Sequence, residues 1–334
     1  MALISIGRRA VDRLALTLSD RPTDLVLDVS TRCNLNCAMC SLKAYGSGQH
    51  MDLDTVAAIG PALDHFRHIS LTCSGEPFLN PHIMDILAYV KSHSKATTDM
   101  FTNGTLLTAN VARDLVRLGL DRIVVSLDAA TGETYAAIRG SRLDRTLENV
   151  RSLVRAKREM GSARPFLWLG FVAMKRNADE LPSVIGLAAE LGAAEVRVHG
   201  LEPYSEEMAS EITYGHGSDT YRHHFEKAVD EAGRLGVGLA LPRLEIGPQR
   251  RCHPPAHVAW DGTVVPCGET VYARPFYFLK AKREHREVSF GNVREKDFRT
   301  IWDSHQYKHF RRSLRRRNFP AACDDCLMSY GVIC

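Results

Sequence analysis

Thiols are the first chemistry this sequence offers. Nine cysteines stand at 33, 37, 40, 73, 252, 267, 323, 326 and 334. Their number is odd, the chain is long, and MALISIGRRAVDRL lacks the regions of a secretory signal. A disulfide framework is therefore not expected, and clustered cysteines point to metal ligation or redox chemistry. Cys33, Cys37 and Cys40 fall within eight residues, in STRCNLNCAMC. Three thiolates so spaced can fold round one cubane iron–sulfur cluster and leave one iron without a protein ligand. An open metal position is the mark of a catalytic rather than a structural site. A zinc site would want a fourth ligand close by, and this segment holds none.

Four more thiols are spaced C-x14-C and C-x2-C, at Cys252 and Cys267, then Cys323 and Cys326. VAWDGTVVPC (258–267) reads as a hairpin turning at Asp261-Gly262, which brings Cys252 and Cys267 together. Four thiolates close either a structural zinc site or a fully ligated [4Fe–4S] cluster, and spacing alone does not choose. Cys73, in LTCSGEP, reads either as a small buried apolar residue or as a thiol that returns a hydrogen atom to a substrate. Cys334 is an incidental terminal thiol or a cap on the second cysteine region.

The elements that must position these thiols alternate along the first two thirds of the chain. Candidate strands are 25–30, 68–73, 97–102, 122–128, 166–174 and 195–201. Candidate helices lie near 51–66, 81–93, 108–118, 145–159 and 178–191, with apolar residues at three- to four-residue spacing. Asn177 and Asp179 are candidate caps for the last. Six strand–helix units imply an α/β fold with a parallel sheet and right-handed crossovers, too few to close an eight-stranded barrel. The expected architecture is a partial (β/α)6 TIM-like barrel over 22–239, with its chemistry at the carboxyl ends of the strands. Residues 1–21 form a lead-in with a short amphipathic helix, and 240–334, rich in Pro, Arg, His and paired Cys, form a small second domain.

The C-x3-C-x2-C spacing resembles the radical S-adenosylmethionine (SAM) superfamily. That resemblance implies that the methionine amino and carboxylate groups of SAM chelate the open iron of a [4Fe–4S] cluster. Met39 departs from the aromatic residue usual before the last cysteine. Ser74-Gly75-Glu76-Pro77 resembles the family's Gly-Gly-Glu motif, whose backbone and Glu76 would grip the SAM ammonium. Thr102-Asn103-Gly104 ends the third strand, and Ser126-Leu127-Asp128 the fourth, with Ser126 toward the SAM ribose or carboxylate. Arg139, in TYAAIRG, resembles the arginine near the SAM carboxylate, Asn177 follows the fifth strand, and Leu201 would pack near adenine. The second cysteine set and FGNVREKDFRTIW (290–302) resemble the Twitch domain, a shortened SPASM domain holding one auxiliary [4Fe–4S] cluster.

The resemblance implies reductive cleavage of SAM to a 5′-deoxyadenosyl radical that abstracts hydrogen, with an electron donor of flavodoxin or ferredoxin type. Relatives of this size include aminoglycoside dehydrogenases and epimerases and a cytosylglucuronic acid decarboxylase. The expected substrate is therefore a small sugar- or nucleoside-containing molecule of antibiotic biosynthesis, and the outcome dehydrogenation, epimerisation or decarboxylation. Ribosomal-peptide maturation is the second expectation, disfavoured because only about 24 residues precede the first strand. GTP cyclisation is disfavoured by the Val-Ile-Cys end, which lacks that family's Gly-Gly. A non-enzymatic zinc or electron-transfer protein would leave the strand-end motifs without a purpose.

Composition, at 45% hydrophobic and 25% charged residues, has the balance of a soluble globular protein. A net charge of +4 does not argue for nucleic acid, and no apolar run approaches the about 20 residues of a membrane span. Neither partner is expected, and the expected location is cytoplasmic. The five arginines of RRSLRRR (311–317) read as a solvated helix face with Phe310 and Leu314 turned inward. His199, Glu202 and Tyr204 follow the sixth strand and are candidates to face substrate.

Overall fold

Each of the six apolar runs folds as a parallel strand. They are β1 (Asp24–Leu27), β2 (His68–Leu71), β3 (Thr97–Thr102), β4 (Arg122–Ser126), β5 (Phe166–Ala173) and β6 (Glu195–Gly200). The computed structural model describes residues 22–44, 48–72, 74–215, 217–247 and 250–333. The helix expected in 1–21, Cys73 and Cys334 lie outside them.

The connecting helices are α1 (Leu53–Leu63), α2 (Ile83–His93), α3 (Ala109–Leu118), α4 (Gly132–Arg139), α5 (Leu143–Glu159) and α6 (Leu181–Glu190). Their apolar stripes are buried against the sheet, as with Leu143, Leu147, Val150 and Leu153 of α5. Side-chain caps start several of them: Thr108 Oγ1 accepts from Val111 N, and Asp52 Oδ1 from Thr55 N at 2.8 Å. Asn177, an expected cap, does something else. Fully buried, its Oδ1 accepts from Met174 N at 2.7 Å, and its Nδ2 donates to the carbonyls of Asp128 (2.8 Å) and Val172 (3.0 Å). The turn after β5 leaves these backbone groups without ladder partners, and the amide satisfies them.

After α7 (Glu206–Ala209) and α8 (Asp219–Leu235), β7 (Gly238–Ala240) joins the free edge of β6. The sheet is thus wider than six strands and runs past residue 240. β8 (Ala256–Val258) pairs parallel with β1, and β9 (Val264–Val265) returns antiparallel to it, making the expected hairpin. The nine-stranded order is β7-β6-β5-β4-β3-β2-β1-β8-β9. A partial barrel describes this curved, mostly parallel sheet, and β8 covers the β1 edge that six strands alone would leave unpaired. The remaining chain forms the ribbon β10 (Arg274–Phe278) and β11 (Ala281–His285), then α9 (Phe298–Trp302), α10 (His305–Arg315) and α11 (Leu327–Tyr330). Phe310 and Leu314 of α10 are buried, as expected, and Arg312, Arg315, Arg316 and Arg317 are exposed.

The tail closes back on the sheet. Gly200 N donates to Val332 O at 2.8 Å, and a Cβ at Gly200 would fall 2.1 Å from that oxygen, so only glycine permits the approach.

At the amino ends of the strands, His68 Nε2 lies 3.0 Å from Asp99 Oδ2 and Nδ1 lies 3.5 Å from Asp24 Oδ1. Arg122 pairs with the same Asp99 and stacks on Trp168. Burial disfavours charge on His68, but the bonds to Asp24 and Asp99 outweigh it and raise its pKa to about 9. A raised histidine stabilises fully below its unfolded pKa near 6.5, and that contribution is lost as pH rises toward about 9. The stability gap between wild type and His68→Gln should therefore shrink between these pH values, by up to about 3 kcal/mol. Denaturant titrations at the two pH values measure it, and a constant gap would show that the imidazolium is not what the two carboxylates hold.

Candidate active site

The loop after β1 carries Cys33, Cys37 and Cys40 and is clamped on three sides. Thr31 N donates to Gln49 O at 2.9 Å, Glu76 N to Arg32 O at 2.7 Å, and Ala38 N to Ile138 O at 2.8 Å. Gly75 makes the second clamp: a Cβ there would sit 2.0 Å from Arg32 O. The motif after β2 is thus fitted backbone-to-backbone against the thiol loop.

Each thiol has neighbours that suit a thiolate ligand. Asn103 Nδ2 lies 3.8 Å from Cys33 Sγ, and Leu35 N donates to the same sulfur at 3.4 Å. Arg139 Nη1 lies 3.7 Å from Cys37 Sγ. Leu42 N donates to Cys40 Sγ at 3.4 Å. Burial raises the pKa of Cys33, and the charges of Glu76, Cys37 and Cys40 add to it, since the three sulfurs face one region. Ionised together, these sulfurs would repel one another, and a cationic metal centre among them would offset that.

Arg139, at the end of α4, is the cation beside this loop. It pairs with Asp128, which is fully buried and whose Oδ1 accepts from Val172 N at 2.7 Å. Burial disfavours the guanidinium charge, but Asp128 and Cys37 outweigh it and keep Arg139 protonated. The resemblance implies a cofactor-binding role for Asp128 in the motif that ends the fourth strand; in the structure its carboxylate orients the arginine.

Glu76 differs from expectation in the same way. Expected to grip an ammonium, its carboxylate is turned into the fold and wholly buried. It accepts from Thr102 Oγ1 at 2.7 Å, Asn103 N at 2.8 Å and Phe78 N at 3.3 Å. Burial raises its pKa to about 7 despite these bonds. Glu76 therefore ties the end of β2 to the end of β3 and sets Asn103 beside Cys33. Ser74 and Pro77 flank it, and Ser126 ends β4 on the same rim of the sheet. Leu201 is buried in a small apolar group with Ile138 and Met174, against which Met39 packs. The methionine that departs from the usual aromatic thus sits with the residue expected near adenine.

The other thiols also converge. Cys323 and Cys326 are buried, Cys252 and Cys267 half-buried. Burial pushes the Cys267 thiol far up, with Glu269, Cys252 and Cys323 adding to it, and Cys326 is raised by burial and by Cys267. Burial raises Cys323 to about 11, opposed by Arg250. Four such sulfurs are a closed donor set that suits iron–sulfur ligation.

Residues 27–188 match the radical SAM superfamily, and 253–327 match its iron–sulfur cluster-binding SPASM domain. A Pyrococcus furiosus protein named as a tungsten-containing aldehyde ferredoxin oxidoreductase cofactor-modifying protein is 30% identical, covering 90% of this chain and 86% of its own. The chain belongs to the radical SAM superfamily. It is an enzyme of that superfamily with a SPASM-type domain, and its cofactors are SAM, a [4Fe–4S] cluster and auxiliary cluster iron. An AdoMet-dependent heme synthase of Methanosarcina barkeri is 25% identical over 96% of this chain and 92% of that one. Streptococcus suis SuiB bound to S-adenosylmethionine shares the fold, at TM-score 0.65 and 17% identity, over 92% of this chain and 72% of that one. So does anSMEcpe with bound AdoMet, at 0.63 and 17%, over 93% and 84%.

Between the radical SAM strand ends and the SPASM-type thiols lies a cavity of about 230 Å³. Asp28 and Ser74 line it from the strand side, His257 from β8, and Tyr204, Glu269 and Arg274 from the other. Arg274 donates to Glu202 Oε2 and Tyr204 Oη, each at 3.2 Å, and pairs with Glu269. His285 Nε2 lies 3.0 Å from Glu202 Oε1. Burial disfavours charge on Glu202, but His285 and Arg274 hold its carboxyl well below the usual range. The ligand atoms of Glu202, Glu269 and His285 lie within 4.8 Å of one another, yet Arg274 already supplies the cation there. His199 is held by the tail: its Nδ1 lies 3.2 Å from Ile333 O, and burial lowers its pKa. Asp28, His257, Glu269, Arg274 and His285 were not marked in the sequence reading. Only Asp28 carried a local signal, as a lone carboxylate in an apolar strand.

Among the described residues, no helix is long and apolar enough to cross a membrane.

Proposed function

We propose that Cys33, Cys37 and Cys40 hold the SAM-binding [4Fe–4S] cluster, that Cys252, Cys267, Cys323 and Cys326 hold one auxiliary cluster, and that the enzyme oxidises a small hydroxylated substrate of sugar or nucleoside type. The cavity between the two thiol sets carries this reading. At about 230 Å³ it suits a compact molecule better than a peptide, and its walls are hydroxyls, carboxylates and a guanidinium. When bound, the cluster and SAM supply a radical that takes a hydrogen atom from carbon.

The chain's own residues do the positioning. Arg139 meets the carboxylate of SAM, and its pairing with Asp128 fixes the guanidinium in place. The backbone of 74–77, locked against the thiol loop through Gly75, presents carbonyl oxygens to the SAM ammonium. Leu201 and Ile138 give the adenine an apolar wall. Tyr204 and Arg274, braced by Glu202, fix the far side of the substrate. Glu269, two residues after Cys267, lines the same cavity, so the substrate lies close to the auxiliary site. That proximity favours dehydrogenation, in which the substrate radical gives up an electron, over epimerisation or decarboxylation. The names of the two relatives, cofactor-modifying protein and heme synthase, also describe non-peptide chemistry.

Reduced, reconstituted enzyme incubated anaerobically with SAM and a panel of sugars and nucleosides should convert one member to a product lighter by two hydrogens. One 5′-deoxyadenosine should accompany each product. A crosslinked peptide product from a peptide panel, with no reaction on any sugar or nucleoside, would replace this reading with peptide maturation.

A further inference from the structure

One wall of the substrate cavity is chemically unfinished. β8 pairs with β1 so that His257 stands opposite Val26, and Asp28 lies two residues on, on the same face of the sheet. Both side chains line the cavity. His257 is 8% exposed, and its buried Nε2 has no hydrogen-bond partner among the described residues. Asp28 is 1% exposed. Among the described residues its oxygens accept from Ser74, from N at 3.1 Å and Oγ at 3.3 Å. No cation among the described residues pairs with it. On the opposite wall Arg274 pairs with both Glu202 and Glu269.

A buried carboxylate without a cation and a buried imidazole nitrogen without a partner each cost free energy. Such groups persist where a ligand completes them. The ligand must bring a positive charge to Asp28 and a hydroxyl or amine proton to His257, within the span of one cavity wall.

We propose that Asp28 and His257 form a subsite for a small hydroxylated amine, its ammonium on the Asp28 carboxylate and a neighbouring hydroxyl donating to His257 Nε2. This rests on the reading of the cavity as the substrate site and narrows its substrate class to amino sugars and related amino alcohols. The electrostatics agree. Burial raises Asp28 to about 7, with Ser74 opposing and Asp261 adding, and lowers His257 to about 4. At pH 8 Asp28 is thus an anion and His257 a neutral acceptor. The other titratable groups facing them are Glu269, Arg274, Tyr204 and Tyr272.

Matched probe pairs test the subsite without knowledge of the natural substrate. Serinol is glycerol with an ammonium in place of the central hydroxyl, and glucamine stands in the same relation to sorbitol at a terminal hydroxyl. Binding of all four to the SAM-loaded, two-cluster holoenzyme at pH 8, read by calorimetry or ligand-observed NMR, should favour the amine of each pair by about tenfold, one charge-assisted hydrogen bond. Asp28→Asn, which keeps the shape and the Ser74 contact, should reduce that preference to about twofold or less. His257→Phe should weaken both members of a pair alike. Equal binding of amine and polyol, no binding of either amine, or a preference that survives Asp28→Asn each overturns the proposal. Iron content and 5′-deoxyadenosine formation by the same wild-type preparation report on the parent reading separately. Two clusters and SAM cleavage with no amine preference reject the subsite alone, whereas their loss rejects the parent reading.

Discussion

Cys37→Ala should lose reductive SAM cleavage altogether and retain only about four irons per chain, those of the auxiliary site, against about eight in wild type. Three thiolates are the fewest that hold a cubane with one iron open, so two leave the cluster labile. Cys37 is the informative member because it is the most buried of the three, at 6% exposure, and touches Arg139 from two directions. Its Sγ lies 3.7 Å from Arg139 Nη1 and 3.8 Å from Arg139 O. Alanine removes the sulfur but leaves the Asp128–Arg139 pair and the Ala38–Ile138 clamp, so the loop retains its frame. Iron analysis and 5′-deoxyadenosine assay on anaerobically reconstituted protein check both halves. Cleavage at the wild-type rate by Cys37→Ala would remove this loop from the chemistry.

The frame around that loop was largely legible before any coordinates. Parallel strands buried on both faces read as unbroken apolar runs, and the runs at 97–102 and 166–174 differ from β3 and β5 by at most one residue. At the first strand the match is poorer. The run LVLDVS extends to residue 30, whereas β1 ends at Leu27, although Asp28 N still donates to Val258 O at 2.9 Å and Val29 N to Thr72 O at 3.2 Å. α4 was missed because eight residues with two buried side chains, Tyr135 and Ile138, are too short to show a period. Its signals were a cap at each end, Thr131 and Gly140. That helix delivers Arg139, so its motif was visible before its structure was.

The substrate wall was not legible, for a different reason. β8 is three residues long, and nothing in AHV says that it pairs with a strand more than two hundred residues earlier. The Asp28–His257 juxtaposition exists only through that register. Likewise Arg274 and His285 face each other across the β10–β11 ribbon, and their shared partner Glu202 follows β6. Thiols announce themselves by type and spacing. A polar constellation assembled from four distant segments has no such signature, and its members look like ordinary surface residues until the chain is folded.

The double variant Cys323→Ala/Cys326→Ala should separate the two thiol sites, keeping SAM cleavage and losing the oxidised product. The retained step follows from distance in the fold: the first thiol loop is clamped by residues 49, 76 and 138, none in the auxiliary segment. The lost step follows from the cavity, whose far wall includes Glu269, next but one to Cys267. Two alanines leave only Cys252 and Cys267, too few thiolates to hold a cubane, so about four irons should go. Packing tolerates the change in part. Cys323 contacts Phe310 and Leu314, and alanine keeps an apolar surface there. What is lost is the metal's contribution to folding the tail, which is otherwise held by Arg250 on Ser329 Oγ and the Cys323 carbonyl, by Arg251 N on Ser329 O and by the Gly200–Val332 bond. The variant is therefore checked first by near-ultraviolet circular dichroism and by retention of about four irons. Given those, 5′-deoxyadenosine without product assigns the auxiliary site to the oxidation. Wild-type product turnover would instead make these four thiols a scaffold for the Tyr204–Arg274 wall, and the substrate's second electron would have to leave by another route.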